Sequence, residues 1–136
     1  SILTQLLMMM TILMAIVGSM GLSGTLSINV IERRREIGVM RAVGASNGDI
    51  QSIVIVEGMV IGLLSWLVSI VLSIPITNIL CYGVGVSIMT SPMPAVYGAS
   101  GIIAWLIFIL FLAAVSSAIP ARRASRLTVK DTLAYE

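Results

Sequence analysis

The side chains that could do chemistry in this chain are few and gathered in two places. Residues Glu32 to Asp49, ERRREIGVMRAVGASNGD, hold four of the eight basic residues and three of the six acidic ones. Residues 122–136 hold Arg122, Arg123, Arg126 and Lys130 with Asp131 and Glu136, and Glu57 stands by itself. Such a set can make ion pairs and charged hydrogen bonds. It offers no catalysis: there is no His, a single Cys (Cys81), no GxxxxGK(S/T) phosphate loop and no carboxylate cluster at metal-ligand spacing. No catalytic, cofactor-binding or metal residue is expected, and the chain reads as a non-enzyme. An ion relay would leave ionisable groups inside the spans, and the three membrane helices expected of this chain carry no charged residue beyond Asp49 in the first turn of the second and Glu57 near its edge. Nucleic acid is a poor partner, since Glu32 and Glu36 interrupt the basic run and no aromatic interleaves it.

The elements that position these residues follow from where charge is missing. Residues 1–31 and 58–121 carry none, within a chain that is 58% hydrophobic and 10% charged. A helix crossing a ~30 Å hydrocarbon core needs about 20 apolar residues, so the first run supplies one span and the second supplies two with a connection. The fold class expected is all-α, a polytopic membrane helix bundle. Its three transmembrane helices fall at 2–31, 48–80 and 101–119, with an amphipathic helix at 32–45, an outer loop at 81–100 and a tail at 120–136. Lys and Arg accumulate in cytoplasmic loops. That bias puts both charged segments and the C-terminus in the cytoplasm and the N-terminus outside, in a multi-pass protein of the cell (inner) membrane.

Within the spans, Ser19, Ser23 and Ser27 recur every fourth residue, interleaved with Gly18, Gly21 and Gly24; Gly58 and Gly62 form a GxxxG; Ser65, Ser69 and Ser73 repeat the spacing. Small residues let backbones approach closely in lipid, which is how membrane helices associate. Glu57 either pairs with an Arg of the charged segment or reaches to water. Pro75 should kink or stop the second span, and Pro92, Pro94, Gly83, Gly85 and Gly98 break the outer connection. Pro120 marks the end of the third span. On a wheel of about 100° per residue, Ile37, Val39, Met40 and Val43 fall on one side of the amphipathic helix and Arg34, Arg35 and Arg41 on the other. Gly44 should end it, with Ser46 or Asn47 capping the next helix. A surface helix of this kind suits anionic lipid or a protein partner.

The charged block resembles a known family. Glu32, Arg33, Arg35, Glu36, Ile37, Gly38, Val39, Arg41, Ala42, Val43, Gly44, Ala45 and Ser46 match the signature E-R-x-R-E-I-G-(I/V)-x-(R/K)-A-(L/V)-G-A-S of FtsX/MacB-like ABC transporter permeases. The tail is similar to that family's ending from Pro120 to Leu127 and at Asp131, Leu133, Tyr135 and Glu136, with Val129 where Pro is usual. Members have four membrane helices and a large outer domain between the first and second, so this chain would correspond to helices two to four. The resemblance implies a permease subunit coupled to a cytoplasmic ABC ATPase, acting by mechanotransmission in the export or extraction of peptide, lipoprotein or drug. A second permease copy and the lipid bilayer complete the expected partners. It makes 32–45 the coupling helix, with Glu32, Arg33, Arg34, Arg35, Glu36, Ile37, Gly38, Met40, Arg41, Val43 and Gly44 the ATPase-coupling residues. Ser19, Ser23, Ser27, Gly58, Gly62, Ser65 and Ser69 would serve helix packing, and Arg122, Arg123 and Arg126 the cytoplasmic tail. A membrane relay or scaffold regulating cell-wall hydrolases, and an inactive fragment, are the alternative readings.

Overall fold

The computed structural model describes residues 1–127 and is helical, with no strand among the described residues. Helix α1 runs Ile2–Glu32, α2 Arg34–Ala42, α3 Asn47–Val84 and α4 Ala99–Ser125. A single π-helical turn, Gly85–Met89, extends α3. Three of these helices, α1, α3 with its extension, and α4, are long and apolar enough to cross a membrane. The tail from Thr128 to Glu136, including Val129 and the matched positions from Asp131 on, lies outside the described residues.

Helix ends depart from the expected ones in a consistent direction. Helical backbone continues through Pro75, and on past Cys81 and Tyr82 into what reads as a loop. Pro120 does not end the third span: it is buried inside α4, which runs five residues further, to Ser125. At membrane depth no water replaces a lost backbone partner, so a helix persists through residues that would break it in solution. The non-helical connection therefore shrinks to 90–98.

The chain divides into two compact units, Ser1–Val60 with the stretch from Phe111 on, and Ile61–Leu110. The first has a small core where all four helices meet: Val30 of α1, Ile37 of α2, Ile50 and Val54 of α3, and Ala121 and Ala124 of α4. Helix α4 contributes a buried face of small residues at one-turn spacing, Ala113, Ser116, Ser117, Pro120, Ala121, Ala124 and Ser125. Gly58 lies against this face, next to Ser117 and to Leu26 of α1. In the second unit, the Trp66 Nε1 donates to the Ile102 carbonyl at 3.4 Å. The Tyr97 hydroxyl lies 3.0 Å from Asn78 Oδ1 and 3.2 Å from the Ile74 carbonyl.

The turn from α2 to α3 is closed at both sides. Gly44 has φ +108°, its N–H donates to the Arg41 carbonyl and that of Ala45 to the Met40 carbonyl, each at 3.0 Å. This is the Schellman pairing, with Met40 and Ala45 both packed on the core. Ser46 then caps α3. Its N–H donates to Asp49 Oδ2 at 2.8 Å, and the Asp49 N–H donates back to Ser46 Oγ at 3.2 Å, a reciprocal capping box. A Cβ at Gly44 would meet nothing within 4 Å, so Gly44→Ala is expected to cost only the backbone term, about 1–2 kcal/mol. Thermal unfolding in micelles measures it. A midpoint equal to wild type would show that the turn tolerates an L side chain.

Candidate coupling surface

Helix α2 is separated from α1 by one residue, Arg33, whose φ of −96° and ψ of 19° interrupt the helix. The continuous segment expected from residue 32 thus becomes two helices. The bend turns α2 so that Ile37, 5% exposed, reaches the core. Glu36 holds Arg33 at 2.7 Å, and this bonded carboxylate raises the Arg33 guanidinium above its ordinary value. The other side of Arg33 lies 3.8 Å from Glu57, which also accepts a hydrogen bond from Asn29 Nδ2 at 3.3 Å. Glu57 therefore pairs with the charged segment and is not left to water alone. Arg33, Glu57 and Asn29, with Ile37, Met40, Ile50 and Val54, line a narrow cleft of about 30 Å³.

The two faces of α2 do not divide as the wheel suggests. Ile37 and Gly38 are buried and Met40 half-buried, but Val39 is 58% and Val43 85% exposed. Arg35, Val39 and Val43 follow at i, i+4 and i+8 and so share one face, about 200° round from Ile37 at ~100° per residue. Arg41, expected on the outward basic side, is half-buried and turned inward. Its Nη2 donates to the Ser125 carbonyl at the end of α4 and, at 2.7 Å, to Asn47 Oδ1. Gln51 Nε2 donates to Ser125 Oγ at 2.9 Å, joining α3 to the same point. A cation at a helix C-terminus also opposes the negative end of the helix dipole. Glu32, Arg34, Arg35 and Glu36 remain exposed, as do Arg122, Arg123 and Arg126.

The packing residues also separate. Ser19, Ser23 and Ser27 are half-buried, and Ser19 and Ser27 spend their hydroxyls on the carbonyls of Ala15 and Ser23. Gly58 and Gly62 are buried, whereas Ser65 and Ser69 face outward within the single chain, with Ser69 Oγ donating to the Ser65 carbonyl at 2.7 Å. Asn29, Gln51 and Ser125 join the polar networks of Glu57 and Arg41 although no sequence motif assigns them that role. Their signal is a polar side chain lying within about two turns of a charged residue, near the end of a long apolar helix.

Three helices long and apolar enough to cross a membrane, with a short charged helix interposed between the first two, define a multi-pass membrane protein. Residues 8–129 match the family described as FtsX-like permease C-terminal, and the chain belongs to that family of ABC transporter permeases. Similar proteins include a macrolide export ATP-binding/permease protein MacB of Burkholderia thailandensis, 32% identical over 98% of this chain and 20% of its own length. The protein of the same name from Hyphomonas neptunium is 35% identical over 89% of this chain and 18% of its own length. An uncharacterised ABC transporter permease of Methanocaldococcus jannaschii is 32% identical over 89% of this chain and 30% of its own. The chain thus spans between about a fifth and a third of these relatives.

Proposed function

We propose that this chain is the membrane part of an ATP-driven permease, with α2 as the helix through which a cytoplasmic ABC ATPase moves it. The N-terminus lies outside, the charged end of the helices faces the cytoplasm, and a second permease copy works with the first. Energy arrives from the ATPase, and the helices transmit movement in the export or extraction of peptide, lipoprotein or drug. The observation that carries this reading is the division of α2 into two faces. Ile37, Met40 and Arg41 fasten it to three other helices, while Arg35, Val39 and Val43 are presented outward on a short helix outside the spans. An apolar stripe on an exposed helix is what a groove in a partner protein takes up. Anchoring on the opposite face lets a push on that stripe reach α1, α3 and α4 together. The names of the Burkholderia and Hyphomonas relatives, which join ATP binding to permease, support the pairing.

Val39→Asp with Val43→Asp is expected to lower the stimulation of ATP hydrolysis by the permease about 30-fold, the loss typical of two central contacts at an interface. Insertion and helix content should be unchanged, because neither side chain touches the core. ATP turnover and co-purification of the ATPase at wild-type levels in this double variant would refute α2 as the contact.

A further inference from the structure

The first unit holds a second cleft, between the end of α1 and the end of α4, whose chemistry is unlike that beside Glu57. It encloses about 170 Å³, well beyond the ~10–15 Å³ that one water needs. Arg34 and Arg123 line it together with Ser27, Val30, Ile31, Pro120 and Leu127, and no carboxylate lines it among the described residues. In the first cleft Arg33 is matched by Glu36 and Glu57. Arg34 and Arg123 have no ion pair and no side-chain hydrogen bond among the described residues. Nor are they needed by the helix ends near them, since Arg41 already meets the last carbonyl of α4.

Two arginines without an ion pair among the described residues therefore stand over apolar walls, at the polar end of two membrane-spanning helices. That arrangement complements one molecule in its surroundings: a phosphodiester headgroup with acyl chains below it. Basic recesses between membrane helices take anionic headgroups for this reason, and Arg suits phosphate through its planar fork of donors. We propose that the Arg34–Arg123 cleft seats the phosphate of an anionic phospholipid, its chains lying along Val30, Ile31 and Pro120. Bound there, the lipid bridges the root of α2 to the end of α4. The site needs only that the chain spans a bilayer, and it stands whether or not α2 docks on an ATPase.

The test uses the purified full chain in neutral detergent, titrated with phosphatidylglycerol, phosphatidylcholine or inorganic phosphate and read by native mass spectrometry. Phosphatidylglycerol is expected to be retained in preference to phosphatidylcholine. Arg34→Gln with Arg123→Gln should reduce that retention about 30-fold, and Arg34→Lys with Arg123→Lys, which keeps the charge but loses the planar fork, should fall between wild type and the Gln pair. Arg122→Gln with Arg126→Gln removes equal charge outside the cleft and should change retention less than about 3-fold. Circular dichroism of each variant reports folding separately. Equal losses in the two Gln pairs, or equal retention of phosphatidylcholine, would overturn the site. Displacement of the lipid by inorganic phosphate at matched concentration would make it a free-anion site and overturn the lipid assignment.

Discussion

Gly58→Ala is expected to destabilise the folded chain by about 1–3 kcal/mol, the range for forcing extra volume into a packed interior. A Cβ built at Gly58 would stand 2.7 Å from Ser117 Oγ, 2.9 Å from Ser117 Cβ and 3.1 Å from Leu26 Cδ1. Rotating the hydroxyl relieves only the first of these. The second is fixed by the α4 backbone, so α3 and α4 must separate there, and the fully buried Ser117 cannot give way. Rescue should follow the same geometry. Ser117→Ala in the Gly58→Ala background leaves the offending Cβ and should restore little, whereas Ser117→Gly should restore most of the loss. Gly18→Ala and Gly21→Ala serve as the comparison, because a Cβ at either meets nothing within 4 Å. In thermal unfolding of the monomer they should be neutral, or stabilising by up to about 1 kcal/mol through helix propensity. Equal midpoints for Gly58→Ala and wild type would show that the close approach of α3 and α4 is not maintained in the membrane.

The sequence is most legible where its message is about solvent. Uncharged runs long enough to span a bilayer give the helix count directly, and the Gly44 and Ser46 signals place the turn between α2 and α3 where it is found. It is least legible where two penalties compete. Gly83, Gly85, Pro75 and Pro120 each argue for a break, but residue type alone does not say whether the backbone lies where water can compensate one. The faces of α2 fail for a different reason. Ile37, Met40, Val43 and Val39 span an arc of about 160° at ~100° per residue, wide enough for one half to pack inward and the other to face out. Which half does so depends on the Arg33 bend and on the position of Ala121 and Ala124, neither of which local periodicity encodes.

Arg41 is where that failure changes an expectation most. Charge and wheel position make it one of several interchangeable surface arginines, yet it lies only about 40° from Ile37 at ~100° per residue and serves the inside. It holds the α4 terminal carbonyl at Ser125 and the α3 first turn at Asn47, while its Nε is buried without a partner. Arg41→Ala should therefore destabilise the first unit by about 2–3 kcal/mol, because a hydrogen bond from a charged donor contributes ~1.5–3 kcal/mol and the Ser125 carbonyl is left under-satisfied. Arg35→Ala, which removes the same charge from the outward face, should change stability by less than about 0.5 kcal/mol. Arg41→Lys should recover less than half of the loss, since one ammonium on a flexible stem does not reproduce a planar fork reaching two acceptors. Chemical unfolding in mixed micelles, followed by helix content, separates these cases. Equal stability of Arg41→Ala and Arg35→Ala would mean that the clamp between α2 and α4 contributes nothing, and that α2 is held to the core by the packing of Ile37 and Met40.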